Sequence, residues 1–229
     1  MSLDETDSPF ASVQRPRPLP VLVLADVSGS MAEHGKINSL NRAMSTMIRA
    51  LARERSPRAE ITIGVITFGG TGTVLHQKPL PAASVEWTDM AATAGPSGTP
   101  MGAAFELAQT VLEDKELMPA QAHPATLVLI SDGEPTTAWR AQLDALLGSP
   151  QSKRSARLAV AIGPEAGTPA YRVLESFVAD GLYPVLRADE ADRVLEIFNV
   201  LTRSMSMRVN STRPDEVPVF DPDQLADLD

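Results

Sequence analysis

The chain has 229 residues, of which 43% are hydrophobic, no cysteine and a formal net charge of −9. That length fits one large domain able to bury about 70–75% of its unfolded surface, and the missing thiols exclude disulfides, thiolate zinc sites and a cysteine nucleophile. No run approaches the ~20 apolar residues of a membrane span, and an acidic chain without a basic stripe argues against nucleic acid.

The charge is unevenly placed. Nine of the 29 acidic residues fall in the first 18 and last 21 positions, leaving a nearly neutral body of 17 basic and 20 acidic residues. Residues 1–18 are polar and Pro-rich and read as a disordered arm; 209–229 carry three prolines and six acids and read as an acidic disordered tail. One domain is expected over 19–208. The start, Met1-Ser2-Leu3-Asp4-Glu5-Thr6-Asp7, has no apolar run of the secretory kind. Together with the absence of cysteine, it gives the expectation of a cytoplasmic protein.

Residues 19–25 (LPVLVLA) are almost unbroken apolar sequence, as expected of a strand buried on both faces. A helix follows, with Ile37, Leu40, Met44, Met47, Ile48 and Leu51 at three- and four-residue spacing. Residues 61–68 and 73–80 are strands joined by Gly69-Gly70-Thr71-Gly72, an antiparallel hairpin at a sheet edge. A Pro-, Ala- and Gly-rich connection over 81–98 leads to a helix carrying Met101, Ala104, Phe105, Ala108, Val111 and Leu112. Residues 125–131 (ATLVLIS) form another buried strand. Trp139, Leu143, Leu146 and Leu147 mark a helix ended by Gly148 and Pro150. A strand over 158–162 precedes a helix opened by Thr168-Pro169 and closed by Gly181. A short strand over 183–186 and a helix from near Asp189, burying Ala191, Val194, Phe198 and Leu201, complete the domain. This alternation predicts an α/β fold: a doubly wound, mostly parallel central sheet with one antiparallel edge strand and helices on both faces.

In such sheets the functional groups gather in loops at the carboxyl ends of strands. The first strand runs into Asp26-Val27-Ser28-Gly29-Ser30-Met31. The 81–98 connection delivers Ser97-Gly98-Thr99-Pro100 to a helix start. The strand over 125–131 ends in Asp132-Gly133-Glu134-Pro135-Thr136. Two carboxylates and three hydroxyls are hard oxygen donors, with no imidazole or thiolate among them, and suit Mg²⁺, Mn²⁺ or Ca²⁺. Alternate side chains of D-x-S-x-S point to one side, and Gly29 is expected to allow a sharp turn between the serines.

Each piece has a plainer reading. Asp26 and Ser28 are favoured helix caps, as is Thr99 before Pro100, and Asp132-Gly133 alone is an ordinary turn sequence. Glu134 is expected to be exposed, His34 to be a loop residue, and Trp87 to anchor its loop on the core.

D-x-S-G-S, a separate Thr and S-D-G together resemble the metal-ion-dependent adhesion site (MIDAS) of von Willebrand factor A-type domains. The nearest resemblance is to bacterial tellurium-resistance (TerY-like) members. The resemblance implies hydroxyl ligands at Ser28, Ser30 and Thr99, with Asp26 and Asp132 binding directly or through water. It also implies a coordination position left for a partner's Asp or Glu. It places the chain in a stress-response system with kinase-like or phosphatase components, as a protein-interaction module without catalysis. The rival is a metal-dependent phosphatase or phosphotransferase using Asp26. Haloacid-dehalogenase-type enzymes resemble this strand end but carry a second aspartate where Ser28 stands. No G-x-S-x-G elbow or G-x-x-x-x-G-K-[ST] loop is present.

Overall fold

The computed structural model describes residues 15–70, 72–95, 98–179, 183–188 and 191–219. Six strands form one sheet: β1 (Arg17–Asp26), β2 (Ala59–Gly69), β3 (Gly72–Pro81), β4 (Thr126–Ser131), β5 (Ala156–Ala161) and β6 (Val185–Arg187). Their spatial order is β3-β2-β1-β4-β5-β6. Every pairing is parallel except β2 with β3, so the expected antiparallel hairpin sits at the edge.

The apolar run of β1 explains its central place. Leu19, Val21, Val23 and Ala25 enter one core, and Leu22 and Leu24 enter the other. A strand with both faces covered has no polar alternation to show. The first core packs against α1 (Lys36–Leu51) and α6 (Ala191–Asn210). The second packs against α2 (Met101–Glu113), α3 (Arg140–Gly148) and α5 (Pro169–Phe177). The result is the predicted doubly wound architecture.

Three local readings need correction. Gly29 is not the sharp turn: it opens a 3-10 segment (Gly29–Gly35), and the left-handed residues come later, at His34 (φ 51°) and Gly35 (φ 72°). Gly148 and Pro150 do not simply end a helix. Ser149 caps a new short helix, α4 (Pro150–Arg154), accepting from the Ser152 amide, with Pro150 at its first position, where a missing N–H costs nothing. The expected boundary at 208 also falls short of the packed chain. α6 runs to Asn210, Asp215 pairs with His123, and Val219 is buried with its amide donating to the Tyr183 hydroxyl. Residues 1–14 and 220–229 of the expected arms, with Thr71, Ser97, Gly181 and Asp189, lie outside the described residues.

Candidate metal centre

β1 lies between β2 and β4, so the chain leaves it first to one side and later returns on the other. A crevice opens at such a switch point, beyond the carboxyl ends of the strands. Ala25 pairs with Ile130, which brings Asp26 beside Ser131 and opens the Asp26 and Asp132 loops together.

Asp26 is fully buried and both its oxygens are engaged. Oδ1 accepts from the Ser28 amide at 2.8 Å, and Oδ2 accepts from the Ser131 hydroxyl at 2.6 Å. Burial pushes its carboxyl above the ordinary carboxylate range; the hydrogen bonds from Ser131 and Ser28 pull it back, and the nearby Asp132 charge raises it further. Ser28 Oγ lies 3.1 Å from Ser30 Oγ, and Ser30 Oγ donates to Asp132 Oδ1 at 2.8 Å. The other oxygen, Asp132 Oδ2, accepts from Lys36 Nζ at 2.6 Å.

Thr99 reaches this group through backbone clamps. Its amide donates to Thr136 Oγ1 at 2.9 Å, and its carbonyl accepts from the Thr136 amide at 3.1 Å. The long connection is pinned twice more. Thr93 donates to the Val27 carbonyl from both its amide and its hydroxyl, and Asn41 exchanges two hydrogen bonds with the backbone of Met90. Gly69 lets the Asp26 loop close down, since a Cβ there would stand 2.7 Å from the Ser28 nitrogen.

The donor chemistry fits a hard divalent ion. A Cβ at Gly133 would come within 3.4 Å of Thr99 Oγ1 and 4.0 Å of Ser30 Oγ, so glycine keeps the space between these hydroxyls clear. The capping alternatives do not use these side chains. Ser28 stands at the N-cap of the 3-10 segment with no side-chain capping bond, and α2 is capped at Pro100, again without one. Among the described residues, no three His, Asp or Glu side chains cluster as a metal site.

The von Willebrand factor type A domain family model matches residues 21–134, which run from within β1 through Glu134 and span all three loops. This match supports a von Willebrand factor A domain over these residues. A von Willebrand factor type A protein from Catenulispora acidiphila is 19% identical with a TM-score of 0.61, covering 84% of this chain and 43% of that one. Proximal thread matrix protein 1 from the mussel byssus, in a structure with a zinc-occupied MIDAS motif, is 12% identical with a TM-score of 0.59, covering 82% and 48%. The pilus adhesin SpaC from Lactobacillus rhamnosus GG is 12% identical with a TM-score of 0.64, covering 86% and 31%. The chain thus spans less than half the length of each of these solved structures. No curated protein matches the sequence.

Within this A domain, the five residues singled out by sequence end in one region, and so do four that were not: Lys36, Thr93, Ser131 and Thr136. Ser131 precedes Asp132 at a strand end, so its position was readable. The others act across separations of 37 to 96 residues, for which the sequence carries no local signal. Glu134 and His34 are exposed. Trp87 packs against the core, donates to Asp89 and stacks edgewise on His76, as an anchor does. No described helix is long and apolar enough to cross a membrane.

Proposed function

We propose that this A domain is a divalent-cation-dependent protein-interaction module. Ser28, Ser30 and Thr99 would hold one ion through their hydroxyls, with Asp26 and Asp132 binding it directly or through water; Mg²⁺ comes first, with Mn²⁺ or Ca²⁺ as alternatives, and a partner's Asp or Glu would complete its shell. The observation that supports this reading best is the continuous row Ser28 Oγ, Ser30 Oγ and Asp132 Oδ1 beside the buried Asp26, with neither serine spent on a helix cap. When bound, the ion supplies positive charge and a coordination position for the partner. Neutral hydroxyls do not cancel that charge, so only two carboxylates offset it.

The rival enzyme reading needs a reachable Asp26 oxygen. Full burial, with donors on both oxygens, argues against a nucleophile there, so the reading is binding without turnover. The motif resemblance extends the proposal to a cytoplasmic bacterial tellurium-resistance or stress-response system with a kinase-like or phosphatase component as partner. Two measurements test it. Ligand at 100 times its Kd stabilises a native state by about 2.7 kcal/mol, so Mg²⁺ should raise the melting temperature of wild type and not of Thr99→Ala. Affinity capture from native lysate should retain a partner with Mg²⁺ and lose it with chelator; the same partner in both overturns the metal-dependent reading.

A further inference from the structure

We propose that Lys36 sets the charge of this site, weakening the hold on the cation and strengthening the hold on the incoming carboxylate. The inference rests on the metal-binding reading above. Lys36 Nζ meets Asp132 Oδ2 at 2.6 Å, with the Asp132 side chain fully buried and that of Lys36 only 20% exposed. Oδ1 of the same carboxylate is on the Ser30 side. The ammonium therefore holds the oxygen farther from the hydroxyl row and leaves the nearer one to the cation.

The placement of Lys36 does not serve its helix. It is the first residue of the 16-residue α1, where the helix dipole disfavours a cation. It is reached through two consecutive left-handed residues, one of them His34, which lacks glycine's freedom. The ammonium borders a groove of about 400 Å³, also lined by Asp132, Gly133, Glu134, Gly163 and Thr168. Glu134 is exposed, so solvent and salt screen its charge more than that of the half-buried ammonium.

Charge counting gives the consequence. Two carboxylates and one ammonium leave one negative charge, and a divalent ion turns this into one positive charge. Without the ammonium the loaded site is neutral. Removing Lys36 must then move the two affinities in opposite directions, which no purely structural role predicts.

The experiment compares wild type, Lys36→Met and Lys36→Arg. Mn²⁺ binding is read from the paramagnetic resonance of the free ion. Acetate binding at saturating Mn²⁺ and constant ionic strength is read from water-proton relaxation. Lys36→Met should bind Mn²⁺ about tenfold tighter and acetate several-fold weaker, as loss of one partly screened charge near the ion requires. Lys36→Arg should stay near wild type in both, and circular dichroism should show all three proteins folded. Unchanged affinities in Lys36→Met, or a loss of both, overturn the proposal while leaving the metal site standing. A wild type that binds no Mn²⁺ overturns the metal reading and this proposal together.

Discussion

Ser131 donates its hydroxyl to Asp26 Oδ2 at 2.6 Å across the boundary between β1 and β4, and this bond helps an acid stay fully buried where the sheet changes direction. It does not cancel the cost. Burial outweighs the hydrogen bonds and leaves the Asp26 pKa above its ordinary value of 3.8. A carboxylate with a raised folded pKa loses stability as pH climbs from the unfolded value through the folded one. As pH rises toward neutral, Asp26 therefore burdens the fold until a cation joins it.

Asp26→Asn should accordingly match or exceed wild type in metal-free melting temperature at neutral pH, because Ser131 Oγ can turn and accept from the new amide. The same variant should lose the metal-dependent rise. A binding residue is then separated from a structural one by two melting curves, with and without Mg²⁺. A variant destabilised in both would show that the charge supports the fold.

Ser131→Ala leaves Asp26 Oδ2 without a hydroxyl donor. An unsatisfied buried acceptor costs about 1–3 kcal/mol, so urea unfolding of the metal-free protein should shift by that amount. Ser131→Thr, which keeps the donor, should lose less if the added methyl is accommodated.

Thr136 joins the loop after β4 to the loop before α2 through its hydroxyl and amide. Thr136→Val removes the acceptor for the Thr99 amide at nearly the same volume. Global stability should fall by about 1 kcal/mol. Mn²⁺ affinity should fall more visibly, because Thr99 is freed on one side. Thr136→Ser should restore both, measured by urea unfolding and by resonance of free Mn²⁺.

The sheet was legible because β1, β4 and β5 are buried on both faces and their apolar runs leave little choice. The helices of the two faces showed themselves by period, as Leu40, Met44 and Leu51 do on α1. The positions of Asp26, Ser28, Ser30, Thr99 and Asp132 were legible because each stands at a strand end or a helix start. What surrounds them was not. Lys36 carries no local signal, and only the turn at His34 and Gly35 brings it to Asp132. The segment after α6 was misread because composition measures polarity and not partners. Asp215 is an acid in a Pro-rich stretch, yet His123 and the Arg208 bond to the Pro214 carbonyl hold that stretch against the domain.

That segment makes the boundary testable. A chain ending at Asn210 loses the burial of Val219, its bond to Tyr183, the acceptor at Pro214 and the charge beside His123. Burying a Val side chain is worth about 1.5–3 kcal/mol, and one hydrogen bond adds about 1 kcal/mol. The shortened chain should lose about 2–4 kcal/mol in urea unfolding, whereas one ending just after Val219 should keep these contacts.

His123 gives the domain a predictable response to acid. Its Nδ1 lies 2.8 Å from Asp215 Oδ1, and its other ring nitrogen is buried with no hydrogen-bond partner among the described residues. Two influences oppose each other. Burial disfavours the imidazolium, Asp215 favours it, and Arg17 and Arg208 add smaller repulsions; burial wins, and the pKa falls below its ordinary 6.5. A histidine with a lowered folded pKa binds fewer protons folded than unfolded. Its contribution to stability is complete above about pH 6.5 and is lost as pH falls toward the folded value. Removing each partner should then act with opposite sign. His123→Gln should flatten the loss of stability between about pH 7.5 and about pH 5.5. Asp215→Asn removes the main group that favours protonation, so it should deepen the shift and steepen the loss over the same range. Urea midpoints at the two pH values decide it. A flatter profile in Asp215→Asn would mean that the ion pair outweighs burial and that His123 is charged in the folded protein.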